Sequence, residues 1–192
     1  MRKRSIAGTL PAVAIAAVLP CALALAAPDQ AAPKPAAEMA NLKVFDGSWT
    51  CEGKSEASPM GPAGTNKSTI RSHSDLGGFW QSGMVKSTGS SMPGATMEGM
   101  FHMTYDAGSK QYVMLWVDNM GAYSQETSSG WEGDKIAFAG DMAMGGKKMT
   151  VRDTFTKGAA GSLTHAWEGQ VDGKWTPLGS ETCKKQAPPV KN

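Results

Sequence analysis

The residues of this chain that could do chemistry fall at alternating positions. Tyr112, Met114, Trp116 and Asp118 stand two apart, as do Phe101, Met103 and Tyr105. In a β-strand, residues two apart point to one face. Each set would therefore present an aromatic and thioether wall, and Trp80 adds a third candidate strand to it. Such walls bind small apolar molecules when a few polar groups orient them. Asp118 with Arg152 is the candidate polar pair, its guanidinium suited to gripping an anionic head bidentately. The competing reading makes the aromatics plain core and the pair a salt bridge that closes a barrel end.

The three histidines, His73, His102 and His165, are spread over separate segments. One could ligate haem iron, as in haem-binding barrels of similar shape. A zinc site would need all three, and no pattern of supporting partners is visible. Met142, Met144 and Met149 could offer thioethers to Cu(I), but the thirteen methionines also suit core padding or an adaptable apolar pocket. The expectation is no cofactor and no metal, with haem kept as an alternative. No nucleophile elbow, metalloprotease helix, phosphate loop or dinucleotide fingerprint occurs. An isomerase relying on pocket shape and one carboxylate stays open.

Something must hold these residues in place, and the glycines indicate what. There are 23, and they punctuate short apolar runs, as tight turns do in a β-protein. The rhythm predicts strands over 47–54, 66–75, 79–87, 97–106, 111–118, 122–129, 134–141, 147–156, 162–170 and 174–184. Asp106-Ala107-Gly108 and Asp172-Gly173 are hairpin turn chemistry. Ser55–Thr65 and Ser87–Ala95 read as longer loops. Met39, Leu42, Val44 and Phe45 predict a short helix over 38–45 that plugs or flanks one barrel end. About ten short strands must curl, and closure removes their edges. The fold expected is all-β, a closed antiparallel up-and-down barrel over residues 38–185; a two-sheet sandwich is the competing architecture.

The ends of the chain point to export. Arg2, Lys3 and Arg4 precede an apolar run to Leu25, and Ala24-Leu25-Ala26 is a small-x-small cleavage site, so residues 1–26 read as a signal peptide. Pro11 and Pro20 break the run against a membrane anchor, and Pro20 before Cys21 disfavours lipoprotein processing. Residues 27–37 read as a flexible Ala/Pro linker and 186–192 as a disordered tail. Without the leader, 16 basic residues face 17 acidic ones, and no basic run remains to bind nucleic acid. The expected location is periplasmic or extracellular, where disulfides persist. Cys51 lies in the first strand and Cys183 in the last, which are neighbours in an up-and-down barrel, so the two are expected to pair and staple the seam.

Several motifs then combine. They are Leu42 with Gly47-Ser48-Trp49, Leu76-Gly77-Gly78-Phe79-Trp80, Glu98-Gly99-Met100, Thr104-Tyr105-Asp106 with Lys110-Gln111-Tyr112, Leu115-Trp116-Val117-Asp118-Asn119-Met120-Gly121, and Val151-Arg152-Asp153. In order and spacing the chain resembles the small exported bacterial barrels of the domain-of-unknown-function 1579 family over about residues 38–185. The resemblance implies a lipocalin-like or fatty-acid-binding-protein-like barrel and no particular activity. The function expected is a non-enzymatic carrier or sensor of a small apolar molecule. The alternatives are an envelope interaction module without ligand, or a haem-binding or isomerase-type barrel. The oligomeric state is left open.

Overall fold

The computed structural model describes residues 32–58, 61–90 and 93–187. A 3₁₀ helix, Ala37–Phe45, leads into β1, Gly47–Ser55. Met39, Leu42 and Phe45 stand three apart, so on a three-residue turn they form one row, and all three are buried. The expected helix is present, and its apolar spacing fits this tighter winding. Trp49 Nε1 donates to the Phe45 carbonyl at 3.0 Å and ties the helix to β1.

The other strands are β2 Gly64–Asp75, β3 Trp80–Gly89, β4 Met97–Asp106, β5 Gln111–Asp118, β6 Tyr123–Ser128, β7 Trp131–Glu132, β8 Lys135–Met144, β9 Lys147–Lys157, β10 Ser162–Val171 and β11 Lys174–Lys185. Each pairs antiparallel with its neighbour from β1 to β6, then β6 pairs with β8, and β8 to β11 return to β1. The two-residue β7 pairs with β8 beyond the end of β6, where Gly130 at φ 116° interrupts the chain. Ten long strands thus close a barrel with no free edge, which settles the architecture against a sandwich. The expected strands match to within about two residues except β8, which runs on to Met144 before the Gly145-Gly146 turn.

Cys51 and Cys183 face each other in the β1–β11 register, with Cα atoms 4.0 Å apart, and form the expected disulfide. Met39, Leu42 and Phe45 plug one end of the barrel, packed with Tyr112, Ile136, Phe138 and Leu163 in the core. The other end carries the longer loops. The signal peptide, Cys21, the first part of the linker and most of the tail lie outside the described residues. Among those described, no helix is long and apolar enough to cross a membrane.

Candidate functional site

The barrel is hollow toward its loop end. A cavity of about 340 Å3 lies there, within the range of small-molecule sites. Of the residues singled out by alternation, Phe101, Met103, Met114, Trp116 and Asp118 line it. Cross-strand glycines seat the large rings: a Cβ on Gly83 would lie 2.2 Å from the Phe101 ring, and one on Gly99 would lie 2.3 Å from the Trp116 ring. The bare backbone lets both rings lie flat on the wall and leaves the centre open. Asp118 accepts from Trp116 Nε1 at 3.1 Å and from the Met120 and Ala122 N–H groups at 2.9 Å each, so it fixes the turn into β6.

Four candidates sit elsewhere. Tyr105 and Tyr112 pack edge-to-face at 5.0 Å at the plugged end, where the Tyr112 hydroxyl donates to the Glu38 carbonyl and accepts from Asn41 Nδ2. They border a second pocket, of about 320 Å3, with Trp131 and Lys157. Trp80 lies outside the cavity: Gln81, its neighbour, points inward, and Trp80 meets His102 at 6.4 Å. Arg152 also lies outside, because Val151 and Asp153 on either side of it take the inward face. The expected Asp118–Arg152 pair is therefore not formed. Arg152 instead binds Glu168 at 2.6 Å and lies 4.4 Å from the centre of the Trp175 ring.

His73 is exposed, and His102 shares a hydrogen bond with Ser82 through Nδ1 at 2.9 Å. His165 alone of the three lines the cavity. It stands in a column of rings above the plug. Phe45 meets Phe155 edge-on at 5.1 Å, and Phe155 stacks on the His165 imidazole at 4.5 Å. Both ring nitrogens of His165 are engaged by acids: Nε2 donates to Asp153 Oδ1 at 2.6 Å, and Nδ1 lies 3.5 Å from Glu181 Oε1. With neither nitrogen free, His165 is not arranged as a haem ligand.

This polar floor was not apparent in the sequence. Glu181 also accepts from Ser68 Oγ and from Asn66 Nδ2, the latter at 3.3 Å. Glu126, only 1% exposed, accepts from Ser124 Oγ at 2.6 Å through Oε1, and its carboxyl also engages the Asp153 carboxylate. Burial pushes Glu126 up to about 9, the nearby Asp153 charge adds to the rise, and the Ser124 hydrogen bond opposes it. Burial alone would lower His165, but the Asp153 and Glu181 carboxylates outweigh it and lift it to about 9. Burial pushes Glu181 up, yet hydrogen bonding and charge from His165 hold it below the usual carboxylate range. At neutral pH the floor therefore carries a neutral Glu126 carboxyl, an imidazolium and two carboxylates. It can hydrogen-bond a polar group, pair with a charge, or hold and release one proton.

The mouth is soft. Met97, Met120, Met142 and Met144 border it, and such side chains adapt to varied apolar shapes. Met149, opposite Met142, packs over Gly169.

The fold has a solved counterpart. The crystal structure of Rv2717c from M. tuberculosis superposes with a TM-score of 0.62 at 11% identity, covering 80% of this chain and all (100%) of that one. At that identity the likeness concerns the fold alone. No curated protein matches the chain in sequence. Residues 34–178 do match the pattern of one family along most of the barrel, and the chain belongs to that family, the proteins of unknown function called DUF1579.

Proposed function

We propose that this protein is an exported, non-enzymatic carrier or sensor of a small, mostly apolar molecule. The observation that carries the reading is the cavity of about 340 Å3, walled by Phe101, Met103, Met114 and Trp116 and rimmed by methionines. A barrel with only a structural role gains nothing from such a space, since unfilled volume in a core costs stability. Export is supported by the leader pattern and by the Cys51–Cys183 disulfide, a bond that persists in oxidising compartments.

The test is native mass spectrometry of the protein purified from its own host, followed by titration with apolar molecules while the tryptophan fluorescence, to which the cavity-lining Trp49, Trp116 and Trp167 contribute, is read. A co-purifying molecule, or saturable quenching that disappears when Met103 is replaced by Trp, is the expected result. A protein that carries nothing and responds to nothing refutes the reading. The alternative of an interaction module calls for a filled interior and an exposed apolar patch. The patch exists, since Met84, Met100, Val117 and Tyr123 align across β3 to β6, 40–58% exposed, but the interior is hollow.

A further inference from the structure

We infer that the cavity takes an apolar amine, with the hydrocarbon part against the aromatic walls and the ammonium group on Glu126 at the polar floor. This rests on the carrier reading above and names its ligand class.

The charge inside the cavity carries the inference. Six acidic side chains line it, and His165 is its one basic residue among the described residues. Two of the six already have cations, since Glu56 pairs with Lys54 at 2.8 Å and Glu168 with Arg152. Asp118 is spent on its turn. That leaves Glu126, Asp153 and Glu181 against a single imidazolium. No Lys or Arg among the described residues lines the cavity to receive an anion, and Arg152 points away from it. A fatty-acid carboxylate would therefore meet like charge at a buried floor.

The unmet hydrogen bonds point the same way. A buried atom on a lining residue, Asn66 Oδ1, has no partner, and the Glu126 carboxyl has only Ser124 and the Asp153 carboxylate to meet. The amide oxygen can only accept, and the carboxyl accepts once ionised. Asn66 thus lacks a donor, and a primary ammonium brings three N–H groups, enough to serve it as well as the ionised Glu126. The rings of Trp116 and Trp167, which also line the cavity, suit a cation as well as an alkyl chain.

Proton balance follows. In the empty protein the Glu126 carboxyl holds its proton because burial and Asp153 oppose its charge. Asp153 of β9 and His165 of β10 act on Glu126 electrostatically, Glu181 of β11 lies beyond the imidazole, and the flanking strands β5 and β8 set Met114 and Gly140 opposite it. When the ammonium docks, the carboxyl O–H gives its proton to water. The carboxylate left behind pairs with the cation, so one positive charge enters as another leaves.

The experiment uses the disulfide-bonded chain and three probes of equal length: decylamine, decanol and decanoate. Affinities come from calorimetry near pH 7 in two buffers of different ionisation heat. Decylamine should bind at least about tenfold tighter than decanol, with decanoate weakest and about one proton released per amine. Glu126→Gln should remove most of the preference for decylamine over decanol and abolish the proton release, with circular dichroism and a cooperative urea transition showing that the variant folds. If that variant fails to fold, the proton count in the parent decides alone. Decanol or decanoate binding as tightly as decylamine, or amine binding without proton release, overturns the amine assignment and leaves the carrier reading standing. No binding of any probe overturns both.

Discussion

Raising the pH from about 6.5 to 9 should destabilise this barrel, although most carboxylate-bearing proteins are little affected there. The sign follows from the floor of the cavity. Glu126 in the fold titrates at about 9, far above an ordinary carboxyl, so the folded chain keeps a proton that the unfolded chain loses. Its contribution is complete below the unfolded value and drains away as pH climbs to the folded one. His165 also titrates at about 9, against about 6.5 for a free imidazole. Its contribution likewise is full below about 6.5 and lost as the pH rises through the folded value. Glu181 acts in the opposite direction. Its folded value is depressed, so its contribution exists above the unfolded carboxyl value and is lost as pH falls through the folded one.

Between about pH 6.5 and 9 the fold therefore holds two protons more than the unfolded chain, and each is worth about 1.4 kcal/mol per pH unit, on the order of 3 kcal/mol per unit together. Against a total stability of about 5–15 kcal/mol, this moves a urea midpoint visibly within one unit. On these three groups stability should peak near the ordinary carboxyl value, about pH 4–5, where the Glu181 contribution is complete and the Glu126 contribution has only begun to drain. Glu126→Gln removes one of the two protons, so it should roughly halve the alkaline slope and become more stable than the parent near pH 9. Urea unfolding followed by tryptophan fluorescence at unit pH steps measures this directly. A midpoint that is flat or rising from pH 7 to 9, or a variant slope equal to the parent's, would refute the charge states assigned to the floor.

Three other perturbations have definite outcomes. Replacing both Cys51 and Cys183 with Ala opens a loop with a sequence separation of 132 and should lower stability by about 2–5 kcal/mol, read by urea unfolding beside the parent with and without reductant. Leu42→Ala removes a fully buried side chain from the plug and should cost about 2–5 kcal/mol, with greater hydrogen exchange at the helix end of the barrel. Gly83→Ala puts a Cβ 2.2 Å from the Phe101 ring, whose swing into the cavity should cost about 1–3 kcal/mol and weaken any apolar ligand seen by calorimetry.

The barrel was legible because its signals are local. Gly145-Gly146, Asp172-Gly173 and their like mark turns through backbone conformations that only neighbouring residues decide. Closure followed from strand number, and the pairing of Cys51 with Cys183 followed from closure, which makes the first and last strands neighbours. The apolar half of the cavity was legible for a related reason: Phe101 and Met103, or Met114 and Trp116, betray their face by period two. Trp80 and Arg152 were misplaced because a single residue has no period, and in each case an adjacent residue, Gln81 or Asp153, holds the inward position.

The polar half was hidden by that same rule applied to β6. There Tyr123, Gln125 and Thr127 face out while Ser124, Glu126 and Ser128 are buried. Apolar-in, polar-out patterning would turn this strand around. The burial of Glu126 depends on what β9 and β10 bring to it, and nothing within β6 announces Asp153 or His165. One thread could have reached the site, although it was not followed. Once Cys183 is paired with Cys51 and so turned inward, residue 181 two positions earlier must share its face, which places a carboxylate in the barrel. A buried acid then needs a donor, and His165 stands directly across from it in the β10–β11 register. The disulfide that seals the barrel therefore also fixes the face of Glu181, so the seam and the floor are set by a single choice of register.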